Sequence, residues 1–462
     1  MFSPTDFRYN VKELVPYLSE KAYVQYKARV EAALASELAS VGICSKSVAN
    51  EIRQACELVT AEQVYAEEAR IKHDIRALVN VIRGEVSDEA KPYVHLTATS
   101  YDIVDTANSL RFKEAISKVV LPDLAKLEYH LIQISRKYAS TVQIGRTHGQ
   151  HAEPITFGFF VSNYVSRLGK RIVKLRDALF NLTGKFSGAV GVYGPLSLLL
   201  ENPEAFEEDL LKSLDLASSE VSSQIVQPEP LTDLMHQIVV TFGVIANFCR
   251  DMRNLQRSEI GEISEDFGTA QVGSSTMPQK RNPISFENIE SLWKKFMPQM
   301  ITVYLDQISE HQRDLTNSAS QRYLVELIVA FDYCVRRLDR TIWNEKSDSP
   351  RLVVNKENMR RNLESNLDNI SAEPLYVLLA ISGHPDAHEV VRKFVQESIE
   401  NGMSFRETIK NNSELGKYLR KLGPEKRLYI ERPESYIGLA EKKTLKIVGR
   451  WEESLSDIVP PK

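Results

Sequence analysis

The sequence has few cysteines, no long apolar run and no excess of either charge. Its 462 residues include four cysteines, none in a CxxC pair or at metal-ligand spacing, which is typical of reduced, buried thiols. No apolar run reaches about 18 residues, so no transmembrane helix is expected. A net charge of −4 excludes a global attraction to nucleic acid or to anionic membranes. Any phosphate site must therefore come from a local cluster of side chains.

The composition is that of a globular protein. With 43% hydrophobic and 26% charged residues, the chain is long enough for two or three domains with large cores. The first residues lack a basic segment followed by an apolar one, so no secretory signal is expected and a cytoplasmic location is predicted. We predict an N-terminal helical domain at 1–96, a central domain at 97–350 and a C-terminal helical domain at 351–462.

Apolar residues recur at helical spacing over most of the chain, which predicts an all-α fold. Long helices are predicted over 61–82, 107–140, 231–263 and 284–312, with bends near Pro122 and Pro298. A further helix is predicted to start at Ser318, after two polar clusters. Several helices of this length indicate an up-and-down bundle in the centre of the chain.

One loop carries an unusual set of polar side chains. Residues 273–283, GSSTMPQKRNP, contain two serines, a lysine and an asparagine between residues that interrupt helices. Such a loop can close over a small anion, because serine and asparagine donate hydrogen bonds and lysine supplies charge. The alternative is a solvated connector between two helices.

Two other segments are candidate sites. Residues 145–154, GRTHGQHAEP, predict a turn that presents polar side chains, and His148, His151 and Glu153 have no third metal ligand at matching spacing. We therefore expect no metal there. Thr99 and Ser100 predict a helix N-cap, which is also a potential anion site.

The loop GSSxMPxKxN resembles the signature of the fumarase/aspartase superfamily, and RTHG at 146–149 resembles a second motif of these lyases. Within the superfamily the chain is similar to the adenylosuccinate lyase family. The resemblance implies a three-domain all-α fold with a long central helical bundle, and a homotetramer whose active sites are each built by three subunits. It also implies a nucleotide substrate and no cofactor or metal.

The resemblance assigns catalytic roles to five residues. His148 is implied to be the general acid, and Ser274 the general base with Ser275 as the alternative. Lys280 is implied to stabilise the carbanion. His73 would assist at the leaving group or the nucleotide, and Glu287 would keep the catalytic histidine basic.

The resemblance also implies which residues bind the substrate. Arginine and tyrosine near the N-terminus and an Arg-Ser-Arg group are implied to hold the phosphate, while the others line the site or hold a carboxylate. These residues are Arg8, Tyr9, Lys72, Asp74, Thr99, Ser100, Gln224, Asn282, Arg313, Ser318 and Arg322. The family often has Arg-Asp after the glutamine, whereas this chain has QPEP at 227–230, which places the role of Gln224 in doubt.

The expected activity is release of fumarate from adenylosuccinate, giving AMP, and from the succinylaminoimidazole-carboxamide ribotide (SAICAR). The nearest alternative is another fumarate-releasing lyase, such as an argininosuccinate lyase. A second alternative, from a different class, is a non-catalytic helical scaffold.

Overall fold

A computed structural model describes residues 3–268, 271, 273–410 and 412–456. The chain forms two compact units, each assembled from separate stretches. The first unit comprises Met1–Ala125, Lys170–Ile245 and Ser291–Arg336, and the second comprises Lys126–Gly169, Ala246–Glu290 and Arg337–Lys462. The predicted division into domains at 1–96, 97–350 and 351–462 stays a prediction.

Helices account for most of the described chain. In chain order they are α1 Val15–Leu18, α2 Glu20–Ser40, α3 Lys46–Leu58, α4 Ala61–Ile71, α5 Asp74–Gly84, α6 Ser100–Ala115, α7 Leu121–Lys137, α8 Phe157–Phe180, α9 Pro203–Ser213, α10 Glu229–Leu255, α11 Ile284–Phe296, α12 Gln299–Leu305, α13 Ser318–Ile342, α14 Lys356–Glu364, α15 Leu367–Ile370, α16 Ala372–Ile381, α17 Ala387–Asn401, α18 Phe405–Lys410, α19 Ser413–Leu419, α20 Pro424–Glu431 and α21 Ala440–Ser456.

The strands form small two-stranded sheets. They are β1 Val142–Thr147, β2 Gln150–Thr156, β3 Thr183–Gly184, β4 Ala217–Ser218, β5 Ile263–Ser264, β6 Trp343–Asn344, β7 Ser349–Pro350 and β8 Val353–Val354. β1–β2, β5–β8 and β6–β7 pair antiparallel, and β3–β4 pair parallel. The hairpin β1–β2 has the longest strands and carries one of the candidate segments.

The core of the first unit lies among α2 to α6 and α9. The sequence sets where several of these helices begin: Ser19 accepts the Ala22 N–H at 3.1 Å at the start of α2, and Ser45 accepts the Val48 N–H at 3.2 Å at the start of α3. Each serine satisfies a backbone donor that the helix itself leaves unpaired. The apolar faces of these helices then bury one continuous cluster, to which Leu34 contributes a fully buried side chain.

The helix predicted over 61–82 is two helices. α4 ends at Ile71 and α5 begins at Asp74, because Lys72 takes the left-handed conformation with φ of 59° and its N–H donates to Glu68 O at 2.7 Å. His73 caps α5 with its side chain instead of lying inside a helix. The periodicity continues across the break because both helices face the same core, so the sequence pattern did not show it.

The helix predicted over 107–140 is interrupted by a π-helical segment, Ile116–Val120, between α6 and α7. Pro122 lies in the first turn of α7 and cannot donate a backbone hydrogen bond into the preceding turn. The wider π-helical turn accommodates this missing donor. The predicted bend near Pro122 stays a prediction, and what the structure shows there is a change of helix type.

Two other helices are shorter than predicted. α10 ends at Leu255, because the chain turns at Gly261, whose φ is 59° and whose N–H donates to Arg257 O at 2.8 Å. The helix predicted over 284–312 stops at Phe296 and restarts as α12 after Pro298, then ends at Leu305. Proline breaks this helix completely because its nitrogen carries no hydrogen to donate.

One described helix, α10, is long and apolar enough to cross a membrane by length and composition alone. Its most apolar 18 residues are 61% buried inside the protein. Buried core helices pass the same test, so this is weak support for a membrane span.

In the second unit, α16, α17, α18 and α19 enclose a small core. Leu375, Phe405 and Leu415 are among its most buried side chains. α17 ends at Asn401, and the following Gly402 has a φ of 62°, the left-handed conformation that closes helices.

Candidate active site

His148 lies at the tip of the hairpin β1–β2. Thr147 pairs with Gln150, so His148 and Gly149 form a two-residue turn, with φ of 55° and 76°. Positive φ at both turn residues is the conformation that two-residue hairpins favour. The predicted turn is confirmed, and the His148 side chain is exposed. Within the described residues no hydrogen bond or ion pair joins it to Glu287.

A buried carboxylate fixes the base of this hairpin. Glu262, fully buried, accepts hydrogen bonds from Arg146 at 2.6 and 3.2 Å and from Gln143 Nε2 at 2.6 Å, both on β1. Asn362 on α14 donates to the same carboxylate at 2.8 Å. A buried charge with this many donors holds its neighbours firmly, because breaking one contact leaves an unpaired group. Glu262 thus positions the residues that lead into His148.

Ser274 is the second residue of the loop at 273–283. Its Oγ accepts hydrogen bonds from the backbone N–H groups of Thr276 at 3.3 Å and Met277 at 3.1 Å, and its side chain is half-buried. Ser275 is exposed. Two donors aimed at one oxygen favour its ionised form over the neutral hydroxyl. Of the two serines, Ser274 is the one whose hydroxyl oxygen accepts these backbone hydrogen bonds among the described residues.

The same loop is closed by contacts between its ends. Asn282 Nδ2 donates to Gly273 O at 3.0 Å, and the Lys280 N–H donates to Met277 O at 3.0 Å. A Cβ at position 273 would lie 2.0 Å from Lys280 O, so only glycine fits there. The Lys280 ammonium is left exposed.

Glu265 anchors the end of the loop to α11, and sequence reasoning missed it. Its carboxylate accepts the backbone N–H groups of Ser285 at 2.9 Å and Phe286 at 3.0 Å, which are in the first turn of that helix. Burial raises the pKa of this carboxyl, and the backbone hydrogen bonds oppose the rise. Glu287, on the same helix, is exposed and lies 3.8 Å from Arg253.

In the first unit, Lys72, His73 and Asp74 lie at the break between α4 and α5. His73 Nδ1 accepts the Arg76 N–H at 3.2 Å, which leaves Nε2 to carry the proton and to face outward. Asp74 Oδ1 lies 3.8 Å from His73 Nδ1 and accepts the Ile75 N–H at 2.7 Å. The break exposes Lys72 and His73 and leaves Asp74 half-buried.

Thr99 and Ser100 begin α6, as the sequence predicted. The Thr99 N–H donates to Asp102 Oδ2 at 2.7 Å, and Asp102 is also paired with the fully buried Lys185. Just before Thr99, His95 and Thr97 have φ of 63° and 68°. Non-glycine residues in this conformation are strained and persist where surrounding contacts hold them.

The side chain of His95, one of these strained residues, has a close polar contact. Its Nδ1 lies 2.6 Å from Oε1 of the buried Glu31 on α2. Burial lowers the pKa of His95 and the Glu31 carboxylate raises it, with a net rise. Neither Glu31 nor Lys185 belongs to a motif, so sequence reasoning missed both.

Arg313, Ser318 and Arg322 lie around the start of α13, which begins at Ser318 as predicted. The Arg313 guanidinium lies 3.1 Å from the centre of the Tyr101 ring, and its Nε donates to Asp314 O at 2.7 Å. The Ser318 hydroxyl donates to Leu315 O at 2.9 Å. Ser318 and Arg322 line one cavity together with Asp74.

The remaining predicted binding residues are also in the first unit. The Tyr9 ring packs edge-on against Tyr333 with centroids 5.1 Å apart, and Arg8 is exposed. The Gln224 N–H donates to Gln312 O at 3.3 Å, which places this glutamine beside the residue that precedes Arg313. The role of the Gln224 side chain stays a prediction.

No group of three His, Cys, Asp or Glu side chains that could hold a metal is found in the described part of the chain. His384 Nδ1 accepts the Asp386 N–H at 3.1 Å, and His388 packs edge-on against Tyr376.

Comparison with known proteins places this geometry in a family. A profile of the lyase family matches residues 11–297, and a profile described as adenylosuccinate lyase C-terminal matches residues 309–428. The adenylosuccinate lyase of Pyrococcus horikoshii is 36% identical over 458 residues, which cover 97% of this chain and 98% of that protein. The chain belongs to the adenylosuccinate lyase family.

Other adenylosuccinate lyases align over similar lengths. That of Archaeoglobus fulgidus is 32% identical over 97% of this chain and 98% of its own. Among solved structures, the 3-carboxy-cis,cis-muconate lactonizing enzyme of Pseudomonas putida superposes with a TM-score of 0.82 at 25% identity, covering 97% of this chain and 99% of that one. The predicted all-α superfamily lyase fold is therefore confirmed, and the family is that of C–N lyases.

Proposed function

We propose that this protein cleaves adenylosuccinate to AMP and fumarate, and SAICAR to the corresponding carboxamide ribotide and fumarate, in purine biosynthesis. The observation that carries the proposal is the 36% identity, over 97% of the chain, to a protein named adenylosuccinate lyase. The cavity shared by Asp74, Ser318 and Arg322 supports a phosphorylated substrate.

The reaction is a β-elimination that balances without an oxidant or reductant. A base removes a proton from the carbon next to a carboxylate, and the electron pair is held on that carboxylate as an aci-carboxylate. The pair then forms the C=C bond of fumarate as the C–N bond breaks, and an acid gives a proton to the departing nitrogen. Each proton moves between substrate and a side chain.

Ser274 is the proposed base and His148 the proposed acid. A serine is a weak base until its alkoxide is stabilised, and the two N–H donors at Ser274 Oγ, with the Lys280 ammonium in the same loop, supply that stabilisation. Histidine is suited to protonate a leaving nitrogen near neutral pH. Glu287 is proposed to raise the basicity of the catalytic histidine, and His73 to assist at the leaving group through its outward Nε2.

The substrate carboxylates are proposed to bind Thr99, Ser100, Lys280 and Asn282, because hydroxyl, amide and ammonium donors stabilise the doubly charged aci-carboxylate. Arg8, Tyr9, Arg313, Ser318 and Arg322 are proposed to hold the phosphate. Lys72, Asp74 and Gln224 complete the proposed binding set.

We also propose a homotetramer with active sites shared between subunits. His148, Lys280 and Glu287 are each exposed in the single chain, and shared sites would supply them with neighbours. Near α12, Ile301, Leu305 and Ile308 are 63, 62 and 73% exposed, an apolar patch of the kind that subunit interfaces cover. A cytoplasmic location and catalysis without a cofactor are part of the proposal.

The test is fumarate release from the purified protein, offered adenylosuccinate and argininosuccinate separately with chelator present. Release from adenylosuccinate alone is expected. Release from argininosuccinate alone would move the assignment to the alternative lyase, and release from neither would favour the scaffold. Light scattering on the same sample should give four times the chain mass.

A further inference from the structure

A buried arginine lines the cavity that holds the predicted phosphate residues. Arg111 on α6 is 4% exposed, and its Nε donates to Asn108 Oδ1 at 3.0 Å. The cavity lies within the first unit, and its polar lining includes Tyr23, Asp74, Asn108, Arg111, Ser318 and Arg322. No motif marks Arg111, and the proposed mechanism does not use it.

The contacts of Arg111 leave most of its hydrogen-bonding capacity unused. Its guanidinium lies 4.0 Å from the centre of the Tyr23 ring and 4.8 Å from that of Phe112. These rings attract the positive charge but accept no in-plane hydrogen bonds. A guanidinium has five N–H donors, and among the described residues only Asn108 accepts one from Arg111. A buried cation without a carboxylate partner is costly unless a ligand pairs with it.

A second buried cation lies beside the same ring. Lys27 on α2 is 4% exposed, and its Nζ lies 4.3 Å from the centre of the Tyr23 ring. Burial lowers the pKa of Lys27, Asp74 and Glu68 oppose that shift, and Arg322 and Arg111 reinforce it. Lys27 is not among the residues that line the cavity. Both cations therefore lie beside the Tyr23 ring, but only Arg111 lines the cavity.

The cavity suits a phosphate monoester better than a carboxylic acid. Ser318 supplies a hydroxyl and Arg322 a second guanidinium, and Asp74 is the one acid among the lining residues. A dianion with three free oxygens can accept from both guanidinium groups at once, because each presents a planar fork. Glu20 also acts on the charge of Arg111, but it does not line the cavity.

We propose that Arg111 is a further phosphate-binding residue, which contacts the nucleotide phosphate from the buried end of the cavity lined by Ser318 and Arg322. The inference rests on the proposed function and names one more residue of its binding site. Asp74, in the same cavity, would accept hydrogen bonds from sugar hydroxyls.

The experiment compares the binding of AMP and adenosine by calorimetry on the full-length protein. Arg111→Met should weaken AMP binding roughly 10- to 100-fold, because a charge-assisted contact is lost, and leave adenosine binding within about twofold. Lys27→Met is the matched control, since it removes a buried cation from the same ring but not from the cavity. Its AMP affinity should stay within about threefold of wild type.

Two results would overturn the inference: wild-type AMP affinity in Arg111→Met, or equal losses in Arg111→Met and Lys27→Met. If Arg111→Met does not fold, Arg111→Lys replaces it, and unchanged AMP affinity in that variant would reject the proposed fork contact. Fumarate release separates the two proposals. If the wild-type protein releases fumarate from adenylosuccinate and Arg111→Met binds AMP as tightly as wild type, the inference is refuted and the proposed function is not. If Arg111→Met loses AMP affinity but the wild-type protein releases no fumarate, the proposed function is refuted and the inference about Arg111 is not.

Discussion

The two units present their candidate residues in different ways. In the first unit, Thr99, Ser100 and Ser318 stand at helix starts, and His73 caps a helix with its own side chain. In the second unit, His148 lies in a hairpin turn and Ser274 in a loop. Helix starts orient backbone N–H groups and hydroxyls toward anions without further help. A turn or loop needs supporting contacts, which Glu262 and Glu265 provide.

This difference matches the proposed division of labour. Binding an anion requires donors in fixed positions, which helix ends supply. Proton transfer requires groups that can reach the substrate, and residues in a turn or a loop can do so. We therefore expect substitutions of His148 and Ser274 in the second unit to affect turnover, and substitutions of the proposed phosphate-binding arginines in the first unit to affect affinity.

The largest effect is expected for the proposed acid and base. His148→Asn and Ser274→Ala should each lower kcat by roughly 10²- to 10⁴-fold, because each removes a proton-transfer group. Asparagine tolerates the positive φ at position 148, so the hairpin should remain folded. Ultraviolet absorbance of fumarate measures the rate, and thermal melting checks the fold.

Ser275→Ala is the control for the base assignment and should retain most activity. If Ser275→Ala is inactive and Ser274→Ala active, the two serines exchange roles. Near wild-type rates in both Ser274→Ala and His148→Asn would contradict the proposed mechanism.

A smaller effect, on KM, is expected in the first unit. Arg313→Ala and Arg322→Ala should each raise KM for adenylosuccinate roughly 10- to 100-fold, with a lesser change in kcat, because each loses a charge-assisted contact to the phosphate. Arg53→Ala, which removes an exposed arginine paired with Glu57 on α3, is the control. An unchanged KM would remove the substituted arginine from the phosphate site.

An indirect effect on stability and rate is expected when Glu262, which contacts strand β1 of the hairpin, is substituted. Glu262→Gln keeps the shape of the side chain but leaves the half-buried Arg146 without its buried counter-charge, which should destabilise the protein by about 3 kcal/mol. The rate should fall roughly tenfold as the hairpin loosens. Chemical denaturation measures the free energy of unfolding. Full activity in a destabilised variant would show that Glu262 stabilises the fold without affecting catalysis.

An effect on stability alone is expected from Asp105, on α6 in the first unit. Burial raises its pKa from 3.8 to about 6, opposed by a hydrogen bond from the Val226 N–H and by the charges of Lys185 and Arg313, and reinforced by Asp102. The folded protein thus holds more protons than the unfolded chain between about pH 4 and 6. Its free energy of unfolding should fall as pH rises through that window, by roughly 3 kcal/mol, and then stay constant.

Asp105→Asn should remove this pH dependence, since the amide oxygen can still accept the Val226 N–H at 3.0 Å. The difference in unfolding free energy between variant and wild type should therefore shift in favour of the variant from pH 4 to pH 6. A difference that is constant with pH would show that folding does not shift the pKa of Asp105.

Sequence reasoning worked best where a residue does its work locally. The helix starts at Thr99 and Ser318 and the turn at His148 depend on nearest neighbours, so local pattern indicated them. It failed where a distant residue decides the geometry. Glu262 lies 116 residues from Arg146, and Lys185 lies 83 residues from Asp102; both are single charged residues without any flanking motif. The break at Lys72 was missed because the apolar pattern continues across it.

The backbone of the hairpin turn has a consequence for how this protein can evolve. Besides glycine, the residues that most readily accept the conformation of His148 are asparagine and aspartate. Histidine codons become codons for either by one change in the first base. A single mutation can thus preserve the hairpin while removing the proposed acid. A folded protein without lyase activity is therefore one nucleotide away, and descendants of this gene could drift toward purely structural roles without passing through an unfolded intermediate.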